Sequence, residues 1–359
     1  WYENKVIKEK TFVEKGPSYS YYPDGKIKLL GQMKDYKKTG LCIEFYNNGK
    51  KKTEINYIED LAEGKSFTYF EKGQKESEGF YIKGKLNGKT CWWKENGEKD
   101  MEGRLKDDLQ DSIWVFYNSN GKPGSTGNFV KGKQDSLWLY FYDTGELLKK
   151  GLFKEGKKQG LWTTFYENGK KEHEGTFLNN LEEGEWLSWY ENGQSKDRGF
   201  FKQGKMEGDW KGFYIDGKLK YTAKYKEGLK NGQYCFWNEN SNKKLEENYS
   251  MGLRDGLYKE WFENGSLMQT GYYNQDRKTG IWNFFDDKGI RYQTQGFKDG
   301  NPDGEWVSYY SNGLPNSKGS YIKGVKEGKW TYWDEKGNKL LSVTYKKGLK
   351  VKELKEKTK

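Results

Sequence analysis

The segment GLWTTFYENGKKEHEGTFLNNLEEG, residues 160–184, decides the fold. Two short runs rich in aromatic and β-branched residues flank the dipeptide Asn168–Gly169. Asn-Gly between such runs predicts a two-residue type I′ hairpin turn, because both central residues of that turn need a positive φ. We therefore expect one strand over 160–166, a second over about 170–178, and a loop of about five residues leading to the next copy at Gly184.

The turn glycine of this segment recurs every 24 residues along the chain. Ser241 is the one exception in fourteen positions, and the residue before the glycine is Asn or Asp in ten of them. A second glycine follows fifteen residues later, as in Gly160, and a third turn position falls between the two, as in Gly156. Such a fixed period is the signature of a repeat architecture. The predicted structural turn glycines are Gly25, Gly49, Gly73, Gly97, Gly121, Gly145, Gly169, Gly193, Gly217, Gly265, Gly289, Gly313 and Gly337.

Aromatic residues keep the same period. A tryptophan or tyrosine usually lies two residues after the second glycine, and every copy is aromatic five residues after it. Because a thin sheet has little other core, these rings are expected to stabilise it as a ladder running from repeat to repeat. The predicted ladder consists of Trp114, Trp138, Trp162, Trp186, Trp210, Trp282, Trp306, Trp330, Phe165, Trp189, Trp237 and Trp261.

Both connections in each repeat are short, so neighbouring strands must be antiparallel, and no segment keeps a 3.6-residue period. The sequence thus predicts an all-β fold: an elongated single-layer antiparallel β-meander, or repeat ribbon, of about fourteen 24-residue hairpin units. The array is expected to span residues 1–345, with an atypical first unit at 1–16, and a Lys-rich C-terminal end or tail at 346–359.

A two-residue turn also predicts the register. It places Trp162 opposite Gly175, and we expect the indole ring to lie over that glycine, covering the exposed backbone. In this register Tyr166 and Phe177 share the face of Trp162, whereas Phe165 lies on the other face. One bulge would exchange the faces.

Composition excludes several classes of protein. Hydrophobic and charged residues each make up 33% of the 359 residues, which is typical of disordered chains, but 17% are aromatic, which is not. The net charge is +11, of which the last fourteen residues supply +5, so the rest is a mixed surface that predicts no nucleic-acid partner. No apolar run is long enough for a transmembrane helix, and no signal peptide is visible. Because the sequence starts at Trp1 within a repeat-like stretch, we expect further residues upstream.

The segment 160–184 and its neighbour GEWLSWYENGQSKDRGFFKQGKMEG, residues 184–208, resemble the MORN-repeat variant of bacterial proteins, a family that includes YwqK-like antitoxins. The core G-x-W-x-x-Y-Y-x-N-G-K and the linker x-x-G-x-x-x-G carry the resemblance over about residues 16–350. It implies single-layer antiparallel β-ribbons that act as scaffolds, dimerise, or contact proteins and sometimes phospholipids; the antitoxin label implies a toxin partner. The sequence departs from the pattern at Ser112, Ser136 and Ser241, which replace glycines, and at Ser66 and Thr90, which replace the tryptophan.

Reactive groups are sparse. His173 is the only histidine, so no Ser-His or Cys-His pair and no ordinary histidine-based metal site can be built. Cys42, Cys91 and Cys235 are far apart in sequence and form no CxxC pair, so they predict neither a disulfide framework nor a zinc motif. The glycine-rich linkers recur in every copy and precede no helix, which favours turn geometry over phosphate binding. We expect no catalytic residues, no metal and no cofactor.

The sequence therefore predicts a non-enzymatic repeat scaffold that binds one or more protein partners, an accessory or structural component of a bacterial envelope assembly. An antitoxin or immunity-type protein and a module for polysaccharide or anionic lipid are the alternatives. Localisation at the cell envelope or outside the cell is expected, with a cytoplasmic site as the alternative, and membrane association would come from an unseen N-terminal anchor or a partner. The candidate partner-binding side chains are four tyrosines expected to expose their rings: Tyr142, Tyr166, Tyr190 and Tyr214.

Overall fold

The computed structural model describes residues 9–10 and 14–355, and every regular element in this part of the chain is a β-strand. Contacts divide the chain into two compact units, Trp1–Asn180 and Leu181–Lys359. No helix in the described residues is long and apolar enough to cross a membrane. Most of the expected first unit at 1–16 lies outside the described residues.

The first unit contains sixteen described strands. They are β1 (Glu9–Lys10), β2 (Lys15–Tyr21), β3 (Ile27–Lys34), β4 (Lys37–Phe45), β5 (Lys51–Ile58), β6 (Leu61–Tyr69), β7 (Lys75–Ile82), β8 (Lys85–Leu86), β9 (Gly88–Trp93), β10 (Lys99–Lys106), β11 (Leu109–Tyr117), β12 (Pro123–Val130), β13 (Lys133–Phe141), β14 (Leu147–Lys154), β15 (Lys157–Phe165) and β16 (Lys171–Leu178).

The second unit also contains sixteen described strands. They are β17 (Leu181–Trp189), β18 (Ser195–Lys202), β19 (Lys205–Phe213), β20 (Leu219–Lys226), β21 (Leu229–Trp237), β22 (Lys243–Ser250), β23 (Leu253–Arg254), β24 (Gly256–Trp261), β25 (Leu267–Asn274), β26 (Arg277–Phe285), β27 (Arg291–Lys298), β28 (Asn301–Tyr309), β29 (Pro315–Ile322), β30 (Val325–Trp333), β31 (Lys339–Lys346) and β32 (Leu349–Lys355).

Within each unit the strands pair antiparallel with their neighbours in sequence. Strand β15, for example, pairs with β14 on one side and β16 on the other, and β26 lies between β25 and β27 in the same way. The prediction of an all-β antiparallel meander built from hairpins is confirmed. In the Lys-rich segment 346–359, strand β32 pairs with β31.

The turn at Asn168–Gly169 differs from the predicted two-residue type I′ turn. The Gly169 amide donates to the Tyr166 carbonyl at 2.9 Å, and the Tyr166 amide donates to the Lys170 carbonyl at 2.8 Å. This pattern encloses three residues and belongs to a type I turn followed by a left-handed glycine. Gly169 has φ 80°, whereas Asn168 is not among the residues with positive φ. The prediction of two positive φ values at this turn was therefore wrong.

Type I′ turns occur at the other connection of the repeat. Glu155 and Gly156 have φ 51° and 80°, and they join Lys154 to its partner Lys157. The third turn position of the sequence pattern is thus the second residue of a two-residue hairpin. The expected five-residue loop is this tight turn followed by paired strand residues.

The predicted cross-strand register is nevertheless present, because two deviations cancel. The loop is one residue longer than predicted, and the pairing then shifts by one residue between Thr164 and Phe165. As a result Trp162 lies opposite Gly175, as predicted.

The second glycine of the repeat lies at a bulge inside a strand. Gly151 pairs with Trp162 while Leu152 pairs with Gln159, so Gly160 and its neighbour protrude from the ladder with Gly160 at φ 65°. Glycine is favoured here because it adopts positive φ without steric cost. Ser112 and Ser136 occupy the same position at φ 63° and 59°.

The tryptophan rings pack over the strand that precedes them. A Cβ added to Gly151 would collide with the ring of Trp162, and Gly103, Gly127, Gly199, Gly271 and Gly319 are covered in the same way by Trp114, Trp138, Trp210, Trp282 and Trp330. The prediction that a ring covers the glycine of its own hairpin, with Trp162 over Gly175 as the example, was therefore wrong, because the Trp162 ring lies over Gly151 instead. The indole N–H also bonds on that side: Trp162 Nε1 donates to the Leu152 carbonyl at 3.1 Å, next to the bulge.

These rings form the core on one face, which we call the ladder face. Trp114, Trp138, Trp282 and Trp330 are among the largest fully buried side chains. The Trp138 ring packs edge-on against Phe129 and Phe153 and near Tyr140, with centroids 5.1–6.0 Å apart. Phe177 packs against Trp162 at 6.1 Å, so these two rings share a face as predicted.

A candidate binding surface opposite the tryptophans

The four candidate tyrosines lie beside the three-residue loops and are half-buried rather than exposed. Tyr142, Tyr190 and Tyr214 donate their hydroxyls to the carbonyls of the residues 23 positions later, Phe165, Phe213 and Trp237, at 2.6–2.8 Å. Tyr166 also has an interaction within the chain. The hydroxyls of Tyr142, Tyr190 and Tyr214 therefore each connect one repeat to the next, and a role of the four tyrosines in partner binding stays a prediction.

The asparagine at the position before the turn glycine also connects one repeat to the next. Asn192 donates its amide to the Ile215 carbonyl of the next loop at 3.3 Å and accepts from the Gln194 amide at 2.9 Å. Asn48, Asn120, Asn240, Asn264 and Asn312 make the same pair of bonds. This edge of the sheet is thus occupied by internal hydrogen bonds.

The side chains next to the tryptophans in sequence point to the other face, because directions alternate along a strand. Each full-length strand contributes one such residue, and within a unit these residues form a line across the strands, which we call the opposite-face row. In the first unit the row from β4 to β16 consists of Leu41, Asn56, Lys65, Phe80, Lys89, Arg104, Ile113, Asn128, Leu137, Leu152, Leu161 and Thr176, paired two by two within hairpins.

The later part of this row carries four exposed apolar side chains. Ile113, Leu137, Leu152 and Leu161 retain 66%, 49%, 43% and 54% of their accessible surface. Leu137 and Leu152 are register partners, and Leu152 lies within 3.4 Å of where a Cβ of Gly160 would be, beside Leu161. A contiguous exposed apolar strip marks an interaction site more often than scattered leucines do.

The earlier part of the row is basic and aromatic. Lys65 is the register partner of Phe80, and Lys89 is the partner of Arg104; all four side chains are exposed. They line a groove of about 590 Å³, to which Lys106 also contributes. The groove thus combines cationic groups with an apolar ring.

The groove coincides with two consecutive repeats in which a small polar residue replaces the tryptophan. Ser66 and Thr90 take its place and are 6% and 2% exposed. Strand pairing is interrupted nearby. Asn87 separates β8 from β9, and its backbone N–H donates to the Phe80 carbonyl at 2.7 Å. The Thr90 hydroxyl is buried without a hydrogen-bond partner in the described part of the chain. The groove therefore lies where two neighbouring repeats have no large ring at this position.

Most acidic groups near the groove are already paired. Glu78 forms an ion pair with Lys75 at 2.9 Å, and Glu102 pairs with Lys89 at 3.3 Å. Within residues 14–355, Lys65, Arg104 and Lys106 have no ion pair shorter than 4 Å. The groove therefore keeps uncompensated positive charge, with Asp111 as the remaining carboxylate in its wall.

Glu102 is the centre of a polar cluster beside the groove. The Tyr117 hydroxyl donates to it at 2.6 Å, and together with Lys99 and Lys89 it lowers the pKa of Glu102 to about 2. The Cys91 thiol donates weakly to the same carboxylate at 3.5 Å, and burial with this carboxylate raises the pKa of the thiol. A thiol held protonated is a poor nucleophile, so the cluster is suited to structure rather than covalent chemistry.

The second unit repeats the apolar motif. Leu257 is the register partner of Tyr272, and Ile281 follows in the row; Tyr272 and Ile281 are 52% and 61% exposed. These three positions are five repeats after Leu137, Leu152 and Leu161. The second unit therefore has an apolar triplet at the equivalent positions, with Tyr272 and Ile281 exposed and Leu257 half-buried.

The histidine and two of the cysteines were also considered as reactive groups in the sequence. His173 is 43% exposed on its strand, 3.8 Å from Glu172, and burial lowers its pKa. Among the described residues, no three His, Cys, Asp or Glu side chains are grouped as a metal site would require. Burial also raises the pKa values of Cys42 and Cys235.

The fold defines the class of protein: an all-β repeat protein in which each hairpin is stabilised by its neighbours. Eight segments match the model of the MORN repeat variant, so the chain carries repeats of that family. The seven matches from residue 38 onward each start just after one type I′ turn and end on the first residue of the next. The matched residues are 14–35, 38–59, 62–83, 158–179, 182–203, 206–227, 254–275 and 302–323.

The sequence matches none of the curated proteins with which it was compared. Among solved structures, it is similar to the crystal structure of TcdB2-TccC3-Cdc42, with 9% identity over 93% of this chain and 20% of that chain and a TM-score of 0.17. The Photorhabdus luminescens Tc holotoxin pore gives 8% identity over 92% and 26%, with a TM-score of 0.17. This chain spans about a fifth to a quarter of those chains, and the likeness is too weak to support an inference.

Proposed function

We propose that this chain is a non-enzymatic scaffold that binds a protein partner through the opposite-face row. The exposed triplet Leu137, Leu152 and Leu161 carries the proposal, because three neighbouring strands place these apolar side chains next to one another. The equivalent triplet in the second unit supports it. Repeat scaffolds bind partners over extended surfaces, and buried apolar side chains at the centre of an interface contribute most of its affinity.

The finer assignments belong to the same proposal. Similarity of residues 160–208 to YwqK-like repeats supports an antitoxin-type relationship to a toxin, and a role in a bacterial envelope assembly is consistent with a scaffold. The row is the binding surface in either case. It replaces the tyrosine edge as the primary candidate, because the tyrosine hydroxyls already bond within the chain.

Capture from extract of the source cells tests the proposal. The full chain, immobilised through a terminal tag, is expected to retain a stoichiometric protein that a Leu137→Ser, Leu152→Ser, Leu161→Ser variant loses. The control carries Leu61→Ser and Leu109→Ser, which are also 49% exposed but lie beside the type I′ turns. Both variants must show the wild-type circular dichroism spectrum. Retention of the same protein by the triple variant, or capture of no stoichiometric protein, would contradict the proposal.

A further inference from the structure

The basic groove differs from the rest of the opposite-face row in a way that specifies a ligand. Lys65, Phe80, Lys89 and Arg104 are consecutive members of the row, so an exposed phenyl ring lies between cationic side chains. At the same level in the second unit, Asp209 and Lys224 are register partners and form an ion pair at 3.8 Å. Uncompensated positive charge along the row is therefore a feature of the groove.

The dimensions of the groove suit a short extended segment. Lys65 on β6 and Arg104 on β10 are separated by three strand steps, about 14 Å at about 4.8 Å per step. About four residues of an extended peptide, at about 3.3 Å each, span that distance. The cavity volume of about 590 Å³ has room for such a segment.

The chemistry of the wall separates an acidic peptide from a dense polyanion. Phe80 is 40% exposed and Ile82 is 45% exposed, so the wall offers apolar surface as well as charge. Asp111 also lines the groove, and its carboxylate would repel a closely spaced row of phosphates. A peptide places its carboxylates farther apart and supplies apolar side chains between them.

We propose that the groove around Phe80 binds an acidic segment of a partner protein that carries an aromatic or aliphatic side chain between its carboxylates. Lys65, Arg104 and Lys106 contact the carboxylates, and Phe80 packs against the apolar side chain. The inference rests on the proposed function, since it assigns one chemical class of partner to part of the same row.

Fluorescence anisotropy with the full chain tests the proposal. The probe is a fluorescein-labelled ten-residue peptide containing six glutamates and two phenylalanines, and the comparison peptide has lysine in place of every glutamate. Saturable binding of the acidic probe is expected, weakening as salt increases. Absence of saturable binding, or equal binding of the lysine peptide, would overturn the proposal.

Charge-reversal variants locate the site. Lys65→Glu with Arg104→Glu is expected to weaken binding of the acidic probe at least tenfold. The control pair is Lys224→Glu with Lys329→Glu, which has the same change in net charge at equivalent repeat positions in the second unit. An equal loss in both pairs would show a response to net charge alone and refute the groove.

The apolar contact is tested separately. Phe80→Ala is expected to weaken the phenylalanine-containing probe several-fold and to leave a ten-residue polyglutamate peptide unaffected; Phe200→Ala, at the equivalent position, is the control. If inorganic polyphosphate displaces the probe and binds the chain more tightly than the probe does, the assignment to a peptide is overturned. If the captured protein of the scaffold test depends on Leu137 but not on Lys65 and Arg104, the scaffold stands and this inference fails.

Discussion

The indole Nε1 of Trp162 donates to the carbonyl oxygen of Leu152 at 3.1 Å, across the bulge at Gly160. The bulge displaces two residues from the ladder, and the indole supplies a donor beside it. The same bond joins Trp114 to Arg104, Trp138 to Asn128, Trp210 to Phe200 and Trp282 to Tyr272, at 3.0–3.2 Å. In these five repeats the tryptophan therefore both fills the core and satisfies a backbone carbonyl.

Replacing Trp162 with phenylalanine is expected to lower the free energy of unfolding by about 1–3 kcal/mol, because core volume and the bond to Leu152 are both lost. Urea denaturation followed by circular dichroism measures the loss. Trp306→Phe is the matched control with a smaller expected effect: Trp306 is half-buried, and Gln295 donates to the nearby Gly296 carbonyl at 2.9 Å. Equal losses would contradict the dual role of the ring.

Gly151→Ala is expected to cost about 1–3 kcal/mol, since the added methyl group enters the space of the Trp162 ring. Gly79→Ala is expected to cost less than about 1 kcal/mol, because the first atom the methyl group meets is Leu86 Cδ2 at 2.9 Å, the end of a flexible side chain. Thermal and urea unfolding compare the two variants. The reverse order of stability would refute the packing of each ring on the preceding strand.

Ser136→Gly is expected to raise the free energy of unfolding by up to about 1 kcal/mol. Ser136 has φ 59°, a conformation that costs about 1–2 kcal/mol for a residue with a Cβ, partly offset by the greater flexibility of unfolded glycine. The reciprocal Gly160→Ser, at φ 65° in the next copy, is expected to destabilise by a similar amount. A loss of stability in Ser136→Gly would show that the bond from its hydroxyl to Asp135, at 2.9 Å, outweighs the strain.

Tyr190→Phe is expected to lower the free energy of unfolding by about 1 kcal/mol, because the Phe213 carbonyl loses the hydroxyl donor at 2.8 Å. Chemical denaturation measures the change. The control is Tyr36→Phe: Tyr36 lies in a type I′ turn and is 58% exposed, so little change is expected. Unchanged stability of Tyr190→Phe would reopen the tyrosine edge as a surface free for a partner.

Glu102 is expected to make unfolding depend on pH between about 4.3 and 2. Its pKa is lowered to about 2 in the folded chain, against about 4.3 in an unfolded one. The carboxylate therefore stabilises the fold fully above about pH 4.3, and this contribution is lost as pH falls towards 2. Glu102→Gln should unfold more easily than wild type at pH 7, and the difference should shrink over that window. A constant difference across pH 2–7 would contradict the assignment.

The direction of ring packing had a signal in the sequence. Trp210 and Trp330 face Ala223 and Val343 across their own hairpins, residues whose side chains leave no bare backbone to cover. Eleven residues before each of these tryptophans stands a glycine, Gly199 or Gly319, and it is this glycine that the ring covers. The sequence therefore contains the information that each strand glycine packs under the next tryptophan. It does not distinguish the turn type, because Asn-Gly occurs both in two-residue and in three-residue loops.

The period of glycines and aromatic residues was enough to predict the strands, their antiparallel order and the opposition of Trp162 to Gly175. These features follow from local chemistry: glycine permits positive φ, short connections force antiparallel pairing, and alternating rings need a shared face. Only the tertiary structure revealed the three-residue loop, the ring over Gly151 and the opposite-face row, in which Lys65, Phe80 and Arg104 lie near one another. Those features depend on bulges and on contacts between repeats, where a shift of one residue changes which side chains meet.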